Sequence, residues 1–270
     1  YFDDADKQNN EFLKDRQIHM NLYAIQGMLA RVYWMKGDLK TAAEYAQKIL
    51  DCKHFELADK SEIEDLINGV LSPKETIWGL FSANFYTNVR ADLYLSGGSS
   101  SLFLKADHDD TYMADKEGTD YRYEKWFKNY SAIEASGMRC IKVLDTYELN
   151  YATRSDARVK GVNMLRLPEL YYIITEYYLS IDNQTEAVKY FDKVLVSRGL
   201  TGYADRQGAT LTLEKVIQER RKELVCEGQY FFTQKRYNQN IYEPKSGKIY
   251  QASNDIYVLP LPENETEYRY

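Results

Sequence analysis

The chain has 270 residues, 44% of them hydrophobic and 28% charged, enough for one large core or two fused ones. Its 35 Lys and Arg against 41 Asp and Glu leave a formal net charge of −6 with no dense basic stripe, so nucleic acid is excluded as a partner. No run of about 18 apolar residues occurs to cross a membrane, and three cysteines (Cys52, Cys140, Cys226) are too few and too scattered for a disulfide framework.

The opening residues, Tyr1 to Asp6, show neither a charged nor an apolar signal-peptide region. The chain therefore reads as cytoplasmic or as starting downstream of an export signal. Residues 11–36 then carry Leu13, Ile18, Leu22, Ile25, Leu29, Val32 and Tyr33 at helical spacing, and Gly37-Asp38 ends that helix. Thr41 to Leu50 forms a return helix with Ala42, Tyr45, Ala46 and Ile49 along one stripe, which makes a helical hairpin. The device returns at 167–181, Asp182-Asn183 and Thr185 to Leu195. Aligning Ala42 with Ala187 also pairs Tyr33 with Tyr178, Tyr45 with Tyr190, Lys48 with Lys193 and Leu50 with Leu195. Two copies of one hairpin, with Ala at the crossing and Tyr beside it, read as TPR-like units, and the long segment between them argues against a tandem array.

That segment, residues 72–160, differs in character. Glu75 to Leu80 and Arg139 to Leu144 read as short strands, Gly97 to Ser101 as a loop, and Asp107 to Asp120 as an acidic stretch. The fold class is mainly α: TPR-like hairpins with an irregular, partly extended insertion. The chain divides into 1–71, 72–160 and 161–270, the last fused to the rest of the scaffold.

A further helix spans Leu211 to Glu227, with Thr212 as N-cap, and 228–237 continues it as a short helix. Pro260 and Pro262 make Ile256 to Pro262 extended. On the 211–227 helix Arg220 falls in the middle of the apolar face of Leu213, Val216, Ile217 and Leu224, with Glu227 beside it and Glu223 at the edge. A guanidinium so placed must be paired, with Glu223, Glu227, Glu169 or Glu176 as partners, in a network that fixes helix docking rather than a catalytic acid–base site.

Several stretches resemble the SusD/RagB family. Glu219-Arg220-Arg221-Lys222-Glu223-Leu224-Val225-Cys226-Glu227-Gly228 is similar to its ERR-x-EL-x-x-EG helix, and Phe231-Phe232 with Lys235-Arg236-Tyr237 to the aromatic-then-basic continuation. Arg166 to Tyr171 with Thr175-Glu176 resembles its RLAEMYL helix, Asp120-Tyr121-Arg122 its D-x-R element, and Val258 to Glu263 its closing PIP-x-E motif. The resemblance covers residues 20–50 and 160–263. The chain departs from it at Tyr230 and Thr233, where many members carry Arg and Asp. It implies a non-enzymatic lipoprotein on the outer face of an outer membrane, held by a lipid anchor not present in this chain. Such a protein binds an oligosaccharide or polysaccharide and delivers it to a SusC-type TonB-dependent transporter. The hairpins would face the transporter and the insertion would carry the glycan site.

Sugar recognition needs aromatic faces and planar polar groups. In the insertion these are Trp78, Phe85, Tyr86, Tyr94, Tyr112, Tyr121, Tyr123 and Trp126, with Asn84, Asn88, Arg90 and Asp92 near them. Tyr86, Tyr94 and Tyr112, flanked by polar sequence, lead; Trp78, in a strand-like apolar run, reads as core, and Trp126 equally as packing. No phosphate loop, dinucleotide fingerprint, H-E-x-x-H or G-x-S-x-G motif occurs, so neither cofactor nor metal is expected. Two other classes compete: a TPR-like adaptor for a protein partner, and an α-helical glycoside hydrolase using Glu75 with Asp92 or Asp109.

Overall fold

A computed structural model describes residues 15–63, 66, 71–82, 111–112, 118–132, 135–140, 142, 161–243 and 246–260. Contacts divide the chain into two units, Tyr1–Glu227 and Gly228–Tyr270. The larger carries, in chain order, α1 (Leu22–Lys36), α2 (Leu39–Asp51), β1 (Thr76–Phe81), α3 (Tyr121–Trp126), β2 (Phe127–Ala132), β3 (Ala135–Cys140), β4 (Gly161–Arg166), α4 (Leu167–Ser180), α5 (Gln184–Ser197) and α6 (Leu213–Glu223). Helices dominate and the strands are short, as the sequence implies.

The two hairpins are built alike down to their turns. Gly37 takes φ 88 and its counterpart Asp182 φ 56, the left-handed conformation that ends a helix. The next residue in each case donates its N–H back to the tyrosine before the turn, Asp38 to Tyr33 O at 3.0 Å and Asn183 to Tyr178 O at 2.9 Å. The side chains of those same residues then cap the return helix, Asp38 accepting from Thr41 N and Asn183 from Glu186 N. Across each hairpin the paired tyrosines stack: Tyr33 on Tyr45 at 5.8 Å and 7°, Tyr178 on Tyr190 at 5.6 Å and 15°. The alignment of the two copies is thus a structural repeat. Their separation in sequence does not keep them apart, however. α2 packs on α4, α4 on α5 and α6, and Tyr190 Oη donates to Gln47 Oε1 at 2.8 Å. The hairpins form a contiguous stack, which corrects the expectation drawn from the intervening segment.

Two cores result. One lies between α4, α5 and α6 around Tyr172, Ala187, Phe191, Val194, Leu195 and Val216. The other gathers Ala58, Ile63, Leu66, Tyr112, Trp126, Phe127 and Cys140 beneath the insertion. The insertion is extended where it meets the helices: β1 pairs antiparallel with β4 (Gly79 opposite Asn163, Leu80 opposite Val162), and β2 with β3 (Phe127 opposite Cys140).

Several element boundaries differ from expectation. α1 begins at Leu22, after a single 3-10 turn at Arg16–Ile18, because the Asn21 side chain caps it by accepting from Ala24 N. α6 stops at Glu223 rather than Glu227. Cys226 turns to φ 62, and this turn directs Glu227 back to Arg166 and Lys142. The strand expected at 139–144 covers only its start within β3; Ile141, Val143 and Leu144 lie outside the described residues.

The smaller unit holds α7 (Tyr230–Arg236), the hairpin β5 (Ile241–Glu243) with β6 (Lys248–Tyr250), and α8 (Asn254–Tyr257). Ile256 and Tyr257, expected to be extended, are helical because Pro260 comes after the last helical hydrogen bond, from Val258 N to Asn254 O. Phe231 packs on Tyr257 at 5.6 Å, and Tyr257 Oη donates to Gln239 O.

Candidate functional site

Every described point at which the chain enters or leaves the insertion carries a buried charge. Glu75 stands just before β1, Asp120 caps α3, Arg122 lies within α3, Lys142 follows β3, and Arg166 ends β4. From the helices Arg198 at the end of α5, Glu219, Lys222 and Glu223 of α6, and Glu227 beyond it come to meet them. Glu75, Arg122, Lys142, Arg198 and Glu223 are 0% exposed in whole or nearly so.

These groups form one connected cluster. Glu75 bridges Arg166 at 2.8 Å and Arg198 at 2.8 Å, and accepts from Ala58 N at 2.7 Å. Glu223 takes Arg166 at 2.8 Å, Arg198 at 2.9 Å and Arg122 at 3.3 Å. Arg122 also holds Asp120 at 2.8 Å and Glu219 at 2.7 Å, and Lys222 pairs with the same two carboxylates. Arg166 and Lys142 close the far end on Glu227 at 2.7 and 2.5 Å. Five carboxylates face five cations, so the cluster is neutral as a whole, the condition under which buried charge is tolerated. Burial alone would raise the Glu223 carboxyl, but Arg198 and Arg166 hold it well below the usual range. Lys142 goes the other way. Burial lowers its ammonium, and Glu227 only partly offsets this.

A second cluster joins α1 to α4 and α6. Glu169 accepts from Arg31 at 2.6 Å and from Arg220 at 2.7 Å. The Arg220 guanidinium lies 4.3 Å from the Trp34 ring, whose Nε1 donates to Glu176 Oε2 at 2.5 Å. Burial would raise Glu169, yet Arg31 and Arg220 bring it down to about 2. Of the partners the sequence offers Arg220, Glu169 takes it; Glu223 and Glu227 belong to the larger cluster. Sequence reasoning missed Lys142, Arg198 and Arg31 altogether and offered Glu75 only as a hydrolase carboxylate. Arg122 and Arg166 were visible only as members of motifs, with no partner attached.

The aromatic candidates fall into three groups. Asn84, Tyr86, Arg90 and Tyr94 lie outside the described residues. Trp78, in β1, and Tyr121, with Lys60 Nζ 4.8 Å from its ring, are half-buried. Tyr112 and Trp126 are core residues, 3% and 0% exposed, and their polar tips are spent on backbone carbonyls, Tyr112 Oη on Lys222 O and Trp126 Nε1 on Ile63 O, each at 2.8 Å. Neither ring offers a face to solvent. Glu75, which a hydrolase would need as a free carboxylate, is enclosed between two arginines. Among the described residues no group of three His, Cys, Asp or Glu is placed to hold a metal ion.

Solved structures with the same fold include a SusD-like carbohydrate binding protein from Bacteroides vulgatus (15% identity, TM-score 0.72, covering 98% of this chain and 63% of that one). Others are a SusD superfamily protein from Bacteroides thetaiotaomicron (22%, 0.69, 92% and 59%) and surface glycan-binding protein A from Bacteroides uniformis (16%, 0.65, 98% and 64%). At these identities the likeness is one of fold, and the chain spans less than two thirds of the length of each. No curated protein matches. The SusD family model matches from residue 45 to residue 269, through both the insertion and the α6 helix that gathers its charges, and the chain belongs to the SusD family.

Proposed function

We propose that the protein binds an oligosaccharide or polysaccharide at the cell surface and passes it, unhydrolysed, to a SusC-type TonB-dependent transporter, held at the outer membrane by a lipid anchor. Family membership supports this reading, as do the printed descriptions of structures sharing the fold, carbohydrate binding in one and surface glycan binding in another. The observation that carries it is the larger charge cluster. It fixes the roots of the insertion to a stack of helices, the way a binding loop is held by a rigid scaffold. With Tyr112 and Trp126 in the core, the sugar-stacking role falls to Tyr86 and Tyr94, with Asn84 and Arg90 for the hydroxyls and Trp78 and Tyr121 at the edge.

The test is a glycan panel read by tryptophan fluorescence and by release of reducing ends. Tyr86→Ala or Tyr94→Ala should weaken binding at least about tenfold, the cost of one lost stacking face, with the melting temperature unchanged. Release of reducing ends would overturn the reading. A second observation favours a protein partner as well: the stacked hairpins leave a groove of about 400 Å³ between α2 and α4, lined by Lys40, Glu44, Lys48, Tyr177 and Tyr178. In this reading the transporter occupies it. Co-purification with a TonB-dependent barrel, abolished by Tyr177→Glu, checks that half separately.

A further inference from the structure

The sequence scatters its three cysteines, but the fold brings two of them together. Cys140 is the last residue of β3 and is buried in the core beneath the insertion. Cys226 lies 86 residues further on, in the turn after α6, and is an exposed residue. Its φ of 62 turns its sulfur inward, and Cys226 Sγ lies 3.7 Å from Cys140 Sγ. We propose that Cys140 and Cys226 are an oxidation site, forming a disulfide that locks the root of the insertion to the helical scaffold.

The asymmetry of the pair sets the order of events. The hydrogen bond between the two sulfurs, and then the nearby Lys142 ammonium, pull the Cys226 thiol below its ordinary value; the same bond and burial push Cys140 up. Cys226, exposed where Cys140 is buried, is the attacking thiolate and Cys140 the resolving one. The oxidant is a small-molecule disulfide. The Cys226 thiolate attacks one of its sulfurs, forms a mixed disulfide and releases the first thiolate. Cys140 then gives up its proton and attacks the Cys226 sulfur, releasing the second. The protein loses two hydrogens and the donor becomes two thiols. Closing the bond brings the sulfurs from 3.7 Å to about 2 Å, a movement the exposed turn at Cys226 can supply. The bond would lie directly beside Lys142, Glu227 and Arg166, bracing covalently what the charges brace electrostatically. Cys52 stands apart, its Sγ donating to Ile49 O at 2.9 Å at the end of α2, and serves as an internal control.

The experiment treats the native full chain with oxidised glutathione, blocks remaining thiols by alkylation and maps peptides without reduction. The expected result is a Cys140–Cys226 linked peptide with Cys52 alkylated. The thermal midpoint should rise by on the order of 5 °C, as closure of so long a loop implies, and fall back with dithiothreitol. In Cys140→Ser, Cys226 should stop at the mixed disulfide. In Cys226→Ser, an exposed change that leaves the core intact, Cys140 should stay unmodified. Alkylation of both Cys140 and Cys226 in the treated native chain would overturn the proposal, as would glutathione retained on Cys226 in the unsubstituted protein. None of these outcomes depends on what the protein binds.

Discussion

Replacing Glu223 by Gln keeps the shape of the side chain and removes one charge from the centre of the larger cluster. Glu223 is fully buried and is shared by Arg166, Arg198 and Arg122 at 2.8, 2.9 and 3.3 Å. The neutral amide leaves five cations facing four carboxylates and points an N–H₂ at guanidinium groups that already donate. Removing one partner of a buried ion pair costs about 3–5 kcal/mol. Against a total stability of about 5–15 kcal/mol this is about a fifth or more. Urea unfolding followed by far-UV circular dichroism and by tryptophan fluorescence should show the midpoint falling by about 1–2 M. The control is Glu186→Gln, which breaks the solvent-exposed pair with Lys189 at 2.9 Å and should leave the midpoint where it was. If the two variants unfold at the same urea concentration, the cluster does not hold the scaffold together and the assignment of its role fails.

The smaller cluster should reveal itself through pH. Glu169 has a folded value of about 2 against an ordinary 4.5, so its pairing with Arg31 and Arg220 contributes about 3 kcal/mol above pH 4.5, and this is lost as pH falls towards 2. The stability gap between the native chain and Glu169→Gln should therefore close over that window; a gap constant from pH 5 to pH 2 would refute it. Gly199 takes φ 84, and an added Cβ would meet Thr119 O at 2.4 Å and the Tyr121 ring at 2.5 Å. Gly37 takes φ 88 with nothing within 4 Å. Thermal unfolding should therefore show Gly199→Ala costing about 2–4 kcal/mol and Gly37→Ala only about 1, since only the first adds a clash to the conformational cost. Asp182→Gly, which puts at the second turn the residue the first turn already has, should stabilise by about 0.5–1 kcal/mol in the same measurement.

The hairpins were legible because their signals are local. Apolar periodicity, a Gly-Asp or Asp-Asn turn and a capping side chain sit within a few residues of one another, and the offset between copies holds from Tyr33 to Leu50. That α2 would meet α4 was not legible, because periodicity says which face is buried but not against what. The charges failed for the same reason. Arg220 could be recognised on an apolar face from its own helix, yet Glu169, its partner, lies 51 residues away, and Glu75 lies 123 residues from Arg198. Tyr112 misled through its polar flanks. A ring whose single polar atom finds a backbone carbonyl can be buried wholly, and no sequence pattern marks where that carbonyl will come from.

The spread of the larger cluster along the chain has a consequence for how the protein is made and divided. Synthesised from the N-terminus, Glu75 waits for Arg166 and Arg198, and all three arginines wait for Glu223, which is added last of their common partners. A chain cut before α6 would bury three guanidinium groups without the carboxylate they share, and an excised insertion would carry Glu75, Asp120 and Arg122 with most of their countercharges missing. The loop-rich segment is therefore no detachable module. It can be transplanted or studied only together with the helices that follow it.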